Sequence, residues 1–134
     1  MQTQTSSSTL RYTLGFIGVL QVILGLVFIF LPNQFAALLG LAETPPWVLW
    51  MFSMFGARAF GFAYGMFLAM RNPTQHADWI RAMILVQAVD WLGTAYFLMN
   101  GSVTLMQVST AAFLPIIFIV VLVRWYPRPS TQTA

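Results

Sequence analysis

The chain has no cysteine, no lysine, three acidic residues and one histidine. Without cysteine it can form no disulfide, thiolate nucleophile or Cys-ligated metal site. The redox compartment stays open. One histidine, His76, excludes bis-histidine haem ligation within a single chain, and no serine has a histidine base at a matching depth. His76 lies near Asp78 at a helix start and reads as a surface residue. No Gly-rich phosphate loop, His–Glu zinc motif or calcium loop occurs. No cofactor, metal or catalytic residue is therefore expected.

Charge of either sign is scarce: 7% of residues are charged and 59% hydrophobic, with mean hydropathy +0.77. A soluble domain carries about 25% charged residues. This chain cannot cover a water-facing surface with polar groups, so it reads as one integral membrane domain whose first partner is the lipid bilayer. Its arginines are scattered at span ends and form no continuous patch, which excludes a nucleic-acid partner.

The spacing of apolar runs and breakers predicts an all-α, transmembrane four-helix bundle over residues 11–126. Residues 1–10 and 127–134 are expected to be disordered tails. The four spans fall at about residues 12–31, 47–70, 77–99 and 103–126, each near the 20 residues that cross a hydrocarbon core of about 30 Å. The first run ends in Phe30-Leu31-Pro32 rather than a small-residue cleavage site, which favours an uncleaved helix over a signal peptide. Residues 33–40 suit a short interfacial helix stopped by Gly40. Thr44 is a candidate N-cap ahead of Pro45-Pro46. Pro115 is expected to kink the fourth span, since it removes the donor for the Ala111 carbonyl.

Arg11, Arg71, Arg81, Arg124 and Arg128 fall on one side, while the opposite loops hold only Glu43. Cytoplasmic loops are enriched in basic residues, so both termini are expected in the cytoplasm. Trp47, Trp50 and Tyr96 would then mark the outer interface, and Tyr12, Trp79, Trp125 and Tyr126 the inner one.

Two charges break the apolar runs. Arg58 lies in the second span and Asp90 in the third, each about sixteen residues, or about 24 Å, from the intervening turn. They should share a depth and form an ion pair facing the bundle interior. Ser53, Ala57, Gly61, Gly65 and Ala69 form a row of small residues at steps of four, the packing signature of close membrane helices. Gln21, Gln87 and Thr94 can complete a polar cluster with the two charges. Such a cluster either fixes helix packing or binds a proton, an ion or a polar head group.

The four short spans, LPNQFAALLGL after the first and the arginine-bearing GARAFGFAYG of the second resemble small bacterial four-helix proteins of the DoxX-like superfamily. That resemblance implies residence in the bacterial cytoplasmic membrane and an accessory role. Some members are associated with quinone-linked oxidoreductases, and the lack of cysteine excludes carry-over of a thiol-redox role. Small multidrug transporters are similar in length, but they carry a glutamate in the first span where this chain has only Gln21.

The leading expectation is a structural or accessory subunit without its own catalysis, associated with other membrane subunits or with copies of itself. The alternative is a small-ligand or proton-coupled carrier or binder using Arg58 and Asp90. A membrane enzyme ranks third.

Overall fold

The computed structural model describes residues 7–40 and 44–127. The described chain is helical: α1 (Ser8–Phe30), α2 (Pro32–Leu38), α3 (Pro46–Arg71), α4 (Ala77–Met99) and α5 (Leu105–Arg124). Three of these, α1, α4 and α5, are long and apolar enough to cross a membrane. The fourth long helix, α3, has 26 residues, which at 1.5 Å per residue gives about 39 Å. It is diluted by Gly, Ala, Ser and Arg58.

Helix ends follow local chemistry. Pro32 and Pro46 open α2 and α3 at positions whose backbone N–H has no helical acceptor in any case. Gly40 (φ +79°) and Gly101 (φ +76°) take left-handed conformations after α2 and α4. A capping box starts α5: the Gln107 backbone N–H donates to Thr104 Oγ1, and the Thr104 N–H donates to Gln107 Oε1 at 2.8 Å. The same Gln107 side chain donates to the Leu39 carbonyl at 2.9 Å, tying the start of α5 to the end of α2.

Three local expectations need correction. Helix α1 begins at Ser8, and Leu10, placed in the tail by sequence, is 1% exposed in the core. Leu10 falls on the line Leu10, Leu14, Ile17 that faces the core, so its burial extends the helix. Thr44 does not cap α3; Pro45 precedes the helix with no side-chain cap. The break in α5 lies at Val108 (φ −119°, ψ 20°), where the capped first turn meets the rest of the helix, and not at Pro115, which stays in continuous helix. Residues 1–6, Glu43 and residues 128–134, with Arg128, lie outside the described residues.

Packing is uneven. Helices α1 and α3 run antiparallel in close contact along most of their length, and α4 pairs with α5. Helix α3 touches α4 far less than it touches α1. Glycines set the α1–α3 seam. A Cβ at Gly15 would meet Met70, one at Gly18 would meet Phe67, and one at Gly25 would meet Phe60. In the reverse direction, a Cβ at Gly56 would meet Ile29 and Phe28. Each glycine faces a large side chain on the other helix, so bulk fits into space at every level. Phe28, Phe35 and Phe52 close the far end of the seam, with Phe28 and Phe52 stacked at 5.5 Å.

The core shared by all four long helices sits near the α3–α4 turn. It comprises Leu10, Leu14 and Ile17 of α1, Met66 and Ala69 of α3, Ile80 and Met83 of α4, and Phe118 and Leu122 of α5. Arginines gather at this turn end. Arg11 Nε donates to the Met70 carbonyl at 2.9 Å in the last turn of α3, where a cation suits the helix dipole. Arg81 pairs with Asp78 at 3.2 Å and lies over the Tyr126 ring.

Candidate functional site

On α4 the line leading away from the core changes character. Ile80 and Met83 are apolar and buried; Gln87, Asp90 and Thr94 follow at helical spacing. Gln87 is 8% exposed, and its amide nitrogen lies 3.4 Å from the Met83 sulfur. On α1, Gln21 continues the line of Leu14 and Ile17 and is half-buried. The apolar core therefore gives way to amides one turn further from the α3–α4 turn.

Arg58 and Asp90 lie beyond that level, and both are exposed. The faces they occupy are fixed by a contact nearer the turn, where the Trp79 ring of α4 lies directly over Gly65 of α3. Arg58 is seven residues from Gly65, and Asp90 is eleven from Trp79. At about 100° per residue each is rotated only about 20° from its contact residue. Both charges thus point along the α3–α4 seam.

The expected Arg58–Asp90 ion pair is not made. Among the described residues the one ion pair is Arg81–Asp78. Arg58 instead lies 6.0 Å from the Phe55 ring centroid on its own helix, at the outer limit of a cation–π contact. Thr94 Oγ1 donates to the Asp90 backbone carbonyl at 2.8 Å and not to its carboxylate. Gln21 and Gln87 are not hydrogen-bonded to either charge among the described residues, so the five polar residues share a region without forming one bonded cluster. The physical reason is spacing: α3 and α4 close on one another only near the turn, and from the Gly65–Trp79 contact Asp90 lies four residues further along its helix than Arg58 does along its own.

The small-residue row divides at the same level. Gly65 is buried under Trp79 and Ala69 is in the core, whereas Ser53, Ala57 and Gly61 are exposed. A Cβ at Gly61 would meet nothing within 4 Å, and the same is true at Gly93 on α4. The helix approach expected of this row is instead supplied by Gly25 and Gly56 across the α1–α3 seam.

Sequence reasoning missed Trp91. Its Nε1–H donates to the Ala112 carbonyl of α5 at 3.1 Å. That carbonyl is next to the one deprived of a donor by Pro115. The proline frees that neighbouring carbonyl and not this one, so the sequence held no signal for the bond. Trp91→Phe should keep the ring packing and lose the bond, lowering stability by about 0.6 kcal/mol and at most about 1.7. Denaturant titration of the protein in detergent micelles measures this, and an unchanged midpoint would count against the bond.

Chemically, the site is one cation and one anion with no acid–base partner bonded to either among the described residues. Among the described residues no three His, Cys, Asp or Glu side chains gather to hold a metal. A separate groove of about 350 Å³ between α1 and α5, lined by Tyr12, Phe16, Leu114, Ile117 and Val121, is apolar. Set against known proteins, the chain matches no family model, no curated protein and no solved structure.

Proposed function

We propose that the chain is a four-span integral membrane protein, DoxX-like in layout, that serves as an accessory or scaffold subunit of a membrane assembly. Helix α3 is the fourth span. Its contacts with α1 run from Met70 against Gly15 to Gly56 against Ile29, about 21 Å of helix. Where α1 crosses, α3 is carried through the same depth. Arg11, Arg71, Arg81 and Arg124 lie at the turn end, which supports cytoplasmic termini in a bacterial cytoplasmic membrane.

The observation that carries the accessory reading is the pair of charges on the α3–α4 seam that have no ion-pair partner among the described residues. An isolated charge at mid-bilayer costs from about 3 to over 10 kcal/mol. That cost favours a state in which another molecule meets Arg58 and Asp90. Exposed Gly61 beside Arg58 allows a helix to come close.

Two measurements test this reading. A reporter fused to the C-terminus should be active on the cytoplasmic side. Affinity purification from native membranes should recover a stoichiometric membrane partner or a second copy, and Arg58→Leu should reduce its recovery. A monomer that catalyses Arg58-dependent uptake of a small polar solute into vesicles would instead make the protein a carrier.

A further inference from the structure

We propose that the α3–α4 seam is closed by a second copy of this chain through two reciprocal ion pairs, Arg58 of each copy with Asp90 of the other. This rests on the membrane-spanning reading above and names the partner.

The charges are self-complementary. Each copy presents one cation on α3 and one anion on α4, exposed and unpaired with one another. Copies inserted by the same rule share one orientation, so their two-fold axis must run along the membrane normal. In such a dimer only residues at equal depth can meet. From the level of the Gly65–Trp79 contact Arg58 lies seven residues and Asp90 eleven residues along their helices, about 10 and 16 Å, and the arginine, which leans toward the start of α3 while the aspartate leans toward the start of α4, spans the difference. Both also point along the seam, on the faces set by the Gly65–Trp79 contact. A dimer made by α3 against α3 would place Arg58 on Arg58. The charge pattern therefore selects α3 of one copy against α4 of the other, twice, and leaves the interface neutral.

Surface shape agrees with that arrangement. Beside Arg58, the α3 face holds Gly61, with open space at its Cβ position. The facing part of α4 has open space at Gly93. These positions allow two helices to come near enough for side chains as short as aspartate to reach the guanidinium. A single zwitterionic ligand bridging Arg58 and Asp90 in one copy is the competing occupant.

Charge swaps in trans separate the possibilities. Two differently tagged full-length copies are co-expressed, extracted in mild detergent and pulled down through one tag. Wild-type copies should recover each other. Arg58→Asp alone, or Asp90→Arg alone, should lower recovery about tenfold, because every cross-copy contact becomes like-charged. Co-expressing an R58D copy with a D90R copy should restore recovery, since each contact then joins opposite charges. A pair within one copy or a bridging ligand predicts no such rescue. If a swapped copy fails to insert, Arg58→Gln and Asp90→Asn replace it and should each lower recovery at least threefold. Wild-type copies that do not recover each other, single variants that pair as well as wild type, or inserted swaps without rescue in trans each overturn the proposal. If the dimer fails but a different membrane protein is recovered in an Arg58-dependent way, the accessory reading survives. Recovery of nothing removes both.

Discussion

Gly56→Leu is expected to destabilise the protein by about 3 kcal/mol, at the upper end of the usual overpacking penalty. A Cβ at Gly56 would lie 2.9 Å from the Gly25 carbonyl oxygen and 2.8 Å from Ile29 Cγ1. The carbonyl belongs to the opposite helix backbone and cannot swing away as a side chain does. The contact is reciprocal, because a Cβ at Gly25 would lie 3.1 Å from the Gly56 oxygen. A leucine must therefore push α1 and α3 apart, which also loosens Phe60 and Phe67 in their glycine recesses. Denaturant titration in micelles, followed by intrinsic tryptophan fluorescence, measures the loss. A Gly56→Leu protein within about 0.5 kcal/mol of wild type would mean that the backbones do not meet here.

The second large effect belongs to Gly65. Its Cβ position is occupied by the Trp79 ring, so Gly65→Leu must displace an aromatic side chain that packs against the shared core. We expect a loss of about 2–3 kcal/mol. Trp79→Ala alone should cost a similar amount by leaving a cavity. Combined, the leucine can occupy part of the vacated space, so the double variant should be less damaged than the two losses together, with a coupling of about 1 kcal/mol or more. Helix content should persist in Gly65→Leu while amide exchange in α4 and α5 accelerates, because the α1–α3 seam does not use this contact. Strict additivity would place Trp79 elsewhere.

Much of the helix layout is legible from the sequence. Proline and glycine terminate spans at nearly the expected positions because their constraints are local: Pro32, Pro46 and Gly40 act through their own backbone. Leu10 escaped the first boundary because a short polar run outweighs one apolar residue until the core face is known. The candidate site was legible in the helix faces its residues occupy, which are properties of single helices. It was not legible in separation, which depends on how two helices cross. Glycine rows show the same limit. Ser53 to Ala69 and the Gly18–Gly25 pair both permit close approach, and only the large residues on the opposite helix, Phe60 and Phe67, decide which row is filled. Trp91 was invisible for a related reason, since its acceptor belongs to another helix.

The glycine seam also bears on how the protein reaches its membrane. As the ribosome releases the chain, α1 precedes α3 and is long and apolar enough to cross a membrane. Helix α3 follows with an arginine at its centre and a weaker partition into hydrocarbon. The recesses at Gly15, Gly18 and Gly25 give it a proteinaceous wall to enter against. In the four-span reading proposed above, the first helix is an insertion template for the next long one, and filling those recesses should show up first as failed biogenesis of α3 rather than as loss of α1.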